Sequence, residues 1–477
     1  MNQNHIDDLI ENSISGTNAD IAKIIYELYH EYYICTSIKD NIWYEYVDHK
    51  WKYSDSAYTL RYKISTNVAN EFIKHEIYYR TEALQGNNID ACIKQADKLN
   101  KIVIQMKTCK FKNIIIKECR ELFYDINFID KLDKNPKLLG FNNGVYDLNT
   151  HQFRTGLPSD YLSISTNYDF DNDDDNEIQT YLMDFIKSIM KNDEMVLYIL
   201  KVSAYMLDGE KYLEQLWFFT GNSRNAKSTY CNLLKNTFGY YYYEPDISIV
   251  TTVNKKGNVP ELEKLKSKRI LVSSEPDNEK DCKLKISSLK YFCGNLYKNC
   301  HEFKQQFGMI FQMNDKPELS KIDDAIFKSV KIINFPHQFV QNPILEYQKK
   351  IDTSIKSKFN YNIKYSQQMM RILLNIHKEY IYGNKYIDDP LEVKFESELY
   401  LEDNNPIKDW LNINYEITNS DLNRETVESV YNNYLLSNQH LVKRKFCELM
   451  KYLGVKIKAF NSTMYYIGIK FINNDEH

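Results

Sequence analysis

The stretch Phe218-Phe219-Thr220-Gly221-Asn222-Ser223-Arg224-Asn225-Ala226-Lys227-Ser228-Thr229 has the residue types and spacing of a phosphate-binding loop. It reads G-x-x-x-x-A-K-S, with alanine where the usual loop has a second glycine. A bound phosphate needs backbone N–H groups, the positive end of a helix and a cation on a long side chain. Gly221 to Thr229 would supply the N–H groups, Lys227 would reach the outer phosphates, and Ser228 would hold Mg²⁺. Ala226 departs from the pattern. If its backbone needs a positive φ, the methyl group costs about 1–2 kcal/mol.

A nucleotide hydrolase also needs a carboxylate that holds the Mg²⁺ shell and orients or deprotonates the attacking water. Arg269-Ile270-Leu271-Val272-Ser273-Ser274-Glu275-Pro276-Asp277 is an apolar strand ending in acids. Glu275 is the candidate for both roles and Asp277 the spare metal ligand. Phe307 to Met313 reads as a second apolar strand, ending in Asn314-Asp315. Asn314 at that tip can contact the γ-phosphate or the water. Each feature alone is weak. Their order, a loop, then Glu after a strand, then Asn after a strand, is the signal.

These side chains need elements to carry them. Leu216 to Phe219 reads as a buried strand, and Tyr230, Leu233, Leu234 and Phe238 fall at helical spacing before Gly239, which can end the helix. Upstream, 18–30 reads as a helix with Asn18 or Asp20 as its cap. Residues 41–47 and 50–53 read as aromatic strands around a Val-Asp-His turn. Their aromatics could stack on bases, but cross-strand packing is the stronger reading. Residues 64–130 carry helical periods without a motif, and Leu138 to Tyr168 alternates strand and Asn-Gly turn signals. The acidic run from Asp169 to Glu177 reads as a solvated linker rather than a metal site. Ile178 to Leu207 reads as two helices and Gln367 to Tyr382 as another. In the tail, Val427, Val430, Tyr431, Tyr434 and Leu435 make one helical stripe, and Phe446, Leu449, Met450 and Leu453 a second. Val455 to Phe460 and Met464 to Phe471 then alternate around Asn461-Ser462. Two helices and a hairpin are the parts of a winged helix.

The 477 residues are enough for about three domains. With 43% hydrophobic and 26% charged residues the chain can build ordinary cores. The net charge of −4 excludes a wholly basic nucleic-acid coat, so contacts to nucleic acid must come from local patches. The nine cysteines have no C-x-x-C pair, which speaks against a disulfide framework or zinc site and for a reducing compartment. Neither a signal peptide nor a membrane-spanning run is visible, so a soluble chain with no membrane partner is expected.

The motif order resembles viral superfamily 3 helicases, in particular the primase–helicase family of poxviruses and other large DNA viruses. Asn142-Asn143-Gly144-Val145-Tyr146-Asp147-Leu148 is similar to a pattern in that family's N-terminal helicase-associated region. The phosphate loop, Ser274-Glu275-Pro276 and Asn314 resemble its nucleotide motifs. Leu289-Lys290 through Cys293-Gly294-Asn295 resembles the opening of its DNA-contacting hairpin. Asp323 to Val330, followed by Phe335-Pro336, resembles the segment with its arginine finger. The resemblance implies an α/β chain. An N-terminal α+β helicase-associated region would occupy 1–170 and a helical collar 171–210. An AAA+-like P-loop ATPase domain would occupy 211–345, a helical connection 346–405 and a winged helix 406–477. It implies ATP and Mg²⁺ as cofactors, a homo-hexameric ring and translocation on single-stranded or forked DNA. A separate primase and polymerase would be partners in the host cytoplasm, and no priming domain is expected in this chain.

The departures shape the alternatives. Lys328-Ser329 stand where the family has two arginines, so Lys328 or Lys331 would have to serve as the finger, without a planar fork. A finger is worth about 10³–10⁵ in rate. A weakened pseudo-helicase, binding nucleotide and DNA as a ring or loader component, is therefore the second reading. A DNA-packaging type of motor is a more distant third. DNA contacts are expected from Lys298, His301 and Lys304 and from Lys443, Arg444 and Lys445 in the basic tail, where Lys451, Lys456, Lys458 and Lys470 also lie.

Overall fold

Leu216–Thr220 is buried at every position because it lies inside a parallel sheet covered on both faces. The structure is a computed structural model that describes residues 3–246, 264–274, 284, 286–293, 304–314, 329–384, 386–403, 407–418, 420, 422–437 and 441–472. In space the five strands run Val330–Asn334, Leu216–Thr220, Gly308–Gln312, Ile270–Ser274, Tyr242–Tyr243, and every neighbouring pair is parallel. Side chains alternate between the faces. Trp217, Phe219, Val272, Ile310 and Ile333 enter one core with helices Asp193–Tyr205, Lys227–Phe238 and Ile363–Ile376. Phe218, Leu271, Met309, Phe311 and Ile332 enter a second with Leu289 and Phe292 of helix Ile286–Cys293 and with Tyr400 of helix Leu391–Asp403. That last helix also closes the sheet edge. The Ile332 N–H, at the edge strand, donates to Ser397 Oγ at 2.9 Å.

The N-terminal region has its own core. Helix Asn18–Tyr29 packs on helix Cys109–Leu122 and shares its core with Tyr33, Cys35 and Trp43 of strands Tyr33–Ser37 and Ile42–Val47, which continue in an antiparallel sheet to Lys50–Asp55. The cap is Thr17, which accepts from the Asp20 N–H, rather than Asn18 or Asp20. The tryptophans of the aromatic hairpin are core, with Trp43 fully buried and Trp51 donating from Nε1 to the Pro158 carbonyl at 2.9 Å, whereas Tyr53 is exposed. Helices Ala69–Leu84, Ile89–Met106 and Cys109–Leu122 occupy the stretch with helical periods.

A second antiparallel sheet, Leu138–Phe141, Gly144–Asp147 and Gln152–Arg154, bridges to the parallel sheet. The Gly140 N–H donates to Tyr241 Oη at 2.8 Å, and Tyr168 Oη donates to the Thr237 carbonyl at 2.5 Å. The acidic run departs from the linker expectation. Asp175 caps helix Asn176–Ile189, and Asp174 accepts from Arg371 Nε at 2.7 Å. Gln368 Nε2 donates to the Asp173 carbonyl at 2.9 Å. Chain segments far apart in sequence thus hold the acids against helix Ile363–Ile376. That helix starts before Gln367 and ends in a π turn, His377–Ile381.

The tail follows its sequence pattern except that the second hairpin strand stops at Ile467, and after Gly468, at φ 78°, Ile469–Phe471 pairs instead with Tyr415–Ile417 in a separate sheet. Helix Lys408–Asn414 precedes strand Arg424–Thr426, helices Val427–Leu436 and Lys443–Tyr452, and the hairpin Lys456–Phe460 with Thr463–Ile467. Trp410, Tyr434, Phe446 and Tyr466 fill its core. Asn461 and Ser462 both take positive φ, as a tight two-residue hairpin turn requires.

Gly239 ends the loop helix at φ 53° and ψ −126°, where a Cβ atom would fall 1.9 Å from the Thr166 carbonyl oxygen. Backbone on backbone has no side chain to move aside. Gly239→Ala is therefore expected to destabilise the chain by about 2–5 kcal/mol, from left-handed strain plus overpacking. Thermal unfolding of the two proteins measures it, and an unchanged midpoint would contradict the contact.

Candidate nucleotide cleft

The parallel register brings every strand's C-terminal end to one side of the sheet, and the loop leaves from there. Leu216–Thr220 leads into Gly221, and helix Lys227–Phe238 starts after Ala226. Arg224 and Ala226 both lie in the left-handed region, at φ 63° and 66°. Such alternation turns consecutive N–H groups into a concave, anion-binding surface. Gly221 takes φ 133°, and a Cβ there would meet Asn225 Nδ2 at 2.5 Å and the Phe335 carbonyl at 2.6 Å. Only glycine fits that approach. The loop is pinned from the neighbouring strand: the Phe335 N–H donates to the Thr220 carbonyl at 2.9 Å and the Phe339 N–H to the Arg224 carbonyl at 2.8 Å.

Lys227 is 3% exposed. Its Nζ donates to the Gly221 carbonyl and, at 3.3 Å, to Asn314 Oδ1. The loop lysine and the strand-tip asparagine thus meet, although 87 positions separate them. Ser228 is exposed, and its Oγ accepts from Gln312 Nε2 at 2.5 Å. Burial pushes the Cys231 thiol, one turn further on, up to about 12, so it packs rather than reacts.

The loop opens into a cleft of about 1110 Å³, lined from Ser223 to Thr229 on one side. The far wall comes from elements that carry no motif. Tyr181, Phe185, Phe339 and Phe359 give it an apolar surface, and Lys349 and Lys356 give it charge. Tyr181 Oη donates to Asp352 Oδ2 at 2.6 Å, and Lys358 Nζ lies 3.9 Å from the Tyr181 ring centroid. Hydrogen bonds from Ser354 and then Tyr181 hold the Asp352 carboxyl below the usual carboxylate range, and burial holds the Lys349 ammonium below the usual lysine range. These wall residues were missed in the sequence because no local pattern links helix 176–189 to segment 349–360. Gln312 was missed too, although its place as the last residue of a strand is a usable signal.

The other expected residues divide. Gly221, Asn222, Ser223, Arg224, Asn225, Ala226, Lys227, Ser228 and Thr229 form the loop, with Asn225 and Lys227 buried. Glu275, Asp277, Lys298, His301 and Lys328 lie outside the described residues. Lys304 is exposed, next to the Gly308–Gln312 strand. Lys443, ion-paired with Glu428, Arg444 and Lys445 open helix Lys443–Tyr452. Lys331 does not fit its expected finger role. It pairs with Trp217 near the start of the strands, the end away from the loop, and its ammonium binds Asp389 Oδ2 at 2.5 Å. Both side chains are largely buried, and Tyr198 Oη holds the other Asp389 oxygen at 2.8 Å. A cation committed in this way is held by its buried carboxylate partner.

The left-handed Ala226 gives a direct test of strain. In a helix interior Ala→Gly costs about 1 kcal/mol. Here Ala226→Gly removes about 1–2 kcal/mol of left-handed strain, so thermal stability is expected to stay level or rise. A clear fall in the unfolding midpoint would overturn this account.

The chain is similar to known viral proteins. A family described as "D5 N terminal like" matches residues 22–189, the N-terminal core through helix Asn176–Ile189. The protein named "Putative helicase L207/L206" of Acanthamoeba polyphaga mimivirus is 33% identical over 399 residues, 79% of this chain and 41% of that protein. "Putative helicase 184R" of Invertebrate iridescent virus 6 is 28% identical over 68% of this chain and 37% of its own length. "Primase D5" of Fowlpox virus is 28% identical over 52% of this chain and 34% of its own length. The chain spans less than half the length of these relatives. Residues 22–189 thus belong to the D5 N terminal like family, and the chain is a member of the group of large-DNA-virus proteins that carry the names helicase and primase D5.

Proposed function

We propose that the chain is the ATP-driven motor of a viral DNA helicase, a homo-hexameric ring that hydrolyses ATP and moves along single-stranded DNA at a fork. The carrying observation is the meeting of Lys227, at the start of a helix behind two left-handed residues, with Asn314 at the tip of the next parallel strand. The strand order, with the loop strand between the Val330–Asn334 and Gly308–Gln312 strands, suits an AAA+-like P-loop ATPase. The ends of those strands flank a crevice, the usual place for a ligand in an open α/β sheet.

The residues present fit a Mg²⁺ nucleotide. The loop N–H groups and Lys227 would bind the phosphates, and the apolar wall of the cleft would take the base. Magnesium bound with a nucleotide keeps several waters and takes few protein ligands, so the exposed Ser228 hydroxyl with one acid is enough. Mg²⁺–ATP would supply the phosphoryl group and its leaving diphosphate. Asn314 orients the γ-phosphate or the water, and Glu275 deprotonates or orients the water, with Asp277 as the spare acid. With Lys331 committed, Lys328 remains for the finger. In the tail, helix Lys443–Tyr452 behind helix Val427–Leu436, followed by the hairpin, is the order of a winged helix, and its Lys443, Arg444 and Lys445 would meet DNA phosphates. Lys298, His301 and Lys304 would meet the strand inside the ring. A separate primase and polymerase would act with it in the host cytoplasm.

One observation favours the second reading, a ring or loader component that binds nucleotide but turns it over poorly: the Lys331–Asp389 pair, which commits one of the two candidate finger lysines. ATP hydrolysis with and without single-stranded DNA separates the two. For the motor, DNA stimulates turnover and Lys227→Ala lowers it by about 10²-fold or more. Tight ATP binding with no turnover in the unaltered chain selects the second reading. Lys331→Met serves as the control on the finger. It leaves Asp389 buried without its cation, so it is expected to cost about 2 kcal/mol or more of unfolding stability. A fall in turnover with unchanged stability would restore Lys331 to the catalytic set.

A further inference from the structure

The tail presents a second kind of surface, away from the helix that carries Lys443 and Arg444. In its three-stranded sheet, Lys456 and Arg424 both pair with Ile467, Lys458 and Thr426 both pair with Tyr465, and Phe460 pairs with Thr463. Residues directly opposite each other share a face, and alternate residues along a strand return to it. Arg424, Lys456, Lys458, Phe460 and Tyr465 therefore lie on one side. Ile457 and Tyr466 lie on the other and join the tail core.

On the outer side the Arg424 guanidinium carbon lies 4.7 Å from the Phe460 ring centroid and 5.3 Å from that of Tyr465. The two rings meet edge to face at 5.9 Å. Phe460 keeps 40% of its surface in water, beside an exposed turn. Lys456 and Lys458 are both exposed. Glu425, the acid of these strands, pairs with Tyr466 and so belongs to the opposite side. The outer face thus combines planar π surfaces with positive charge.

We propose that this face is a stacking platform for single-stranded nucleic acid. Bases lie on Phe460, on Tyr465 and on the plane of the Arg424 guanidinium, and Lys456 and Lys458 meet the phosphates. A duplex cannot use the platform, because its bases already stack on one another. A single strand has free π faces, and every base has one, so the platform does not select sequence. The inference adds Arg424, Lys456, Lys458, Phe460 and Tyr465 to the expected nucleic-acid contacts. It rests on the register and ring geometry of the tail sheet and uses no step of the ATP reading.

Fluorescence anisotropy of the full chain with labelled oligothymidylate, beside a blunt duplex, tests it. Phe460→Ala is expected to weaken oligothymidylate binding by about 5–150-fold, the equivalent of about 1–3 kcal/mol per stacked base. Phe460→Trp is expected to keep it, because tryptophan offers a larger π face. Lys456→Ala and Lys458→Ala are each expected to lower the slope of log affinity against log salt by about 0.7. Three results would overturn the platform: Phe460→Ala binding like the unaltered chain, Phe460→Trp failing as badly as Phe460→Ala, or preference for the duplex. Binding of a fluorescent ATP analogue in the same samples reports on the cleft separately, so failure of one reading is visible apart from failure of the other.

Discussion

The central sheet can be parallel only because both of its faces are out of water, and the rest of the chain follows from that. Parallel strands need long crossovers, and the crossovers must cover the faces. The loop helix and helices Asp193–Tyr205 and Ile363–Ile376 cover one face, and helices Ile286–Cys293 and Leu391–Asp403 the other. Because all strands point one way, their C-terminal ends meet on one side, and the loop, Gln312, Asn314 and Phe335 gather there. Cover and site are thus consequences of one constraint. The Leu391–Asp403 helix serves it twice, through Tyr400 in the core and through Ser397 on the edge strand.

Covering the sheet also places a charge inside. Arg269, just before strand Ile270–Ser274, is 2% exposed, and burial pulls its pKa down. Guanidinium keeps its charge in proteins, so partners must replace water. Gln306 Oε1 accepts from Nη1, and the Asn135 and Leu138 carbonyls accept from Nη2 at 3.3 and 3.4 Å. Gln306 in turn donates to the Asp133 carbonyl at 3.0 Å. The Asp133 carboxylate accepts from the Ser163 N–H at 2.7 Å and from Ser267 Oγ at 3.0 Å. Apart from Gln306 Oε1 the acceptors come from the D5-like region, and apart from the Ser163 N–H the donors come from the segments that lead into the parallel sheet. Neither region can shift without leaving a buried polar group unmade, so the network fixes how they sit together.

What could be read from the sequence was local and periodic. The strand, glycine-led loop and helix of 216–238, the two tail helices, the Asn461-Ser462 turn and the aromatic hairpin all declare themselves within a short window. What could not be read depends on distant pairing. Lys331 looked available because its partner, Asp389, stands 58 positions away. The acidic run looked like a linker because its anchors, Gln368 and Arg371, lie nearly 200 positions away. The far wall of the cleft and the placing of Arg424 over Phe460 are likewise products of packing. The φ of Ala226 falls between the two cases. The motif marks the position as one where glycine is usual, yet only the backbone shows that the left-handed turn is kept with a methyl group on it.

That retention has a simple energetic reading. Left-handed residues at Arg224 and Ala226 cost about 1–2 kcal/mol each when they carry a side chain. They are held in place by the Phe339 N–H on the Arg224 carbonyl, by the Ala226 carbonyl accepting from Tyr230, and by Asn225 buried against the Phe335 carbonyl. Backbone strain persists where surrounding contacts over-determine it, and it concentrates where a loop has chemistry to do. The alternation of left- and right-handed residues draws successive N–H groups toward one concave side at the start of the Lys227–Phe238 helix, with the Lys227 N–H itself held by Asn225 Oδ1 at 3.3 Å. A hydrogen bond from the others to an anion would be charge-assisted and about twice as strong as a neutral one. A few such bonds would outweigh the strain, so the kept turn leaves alanine at this position compatible with the phosphate site proposed above.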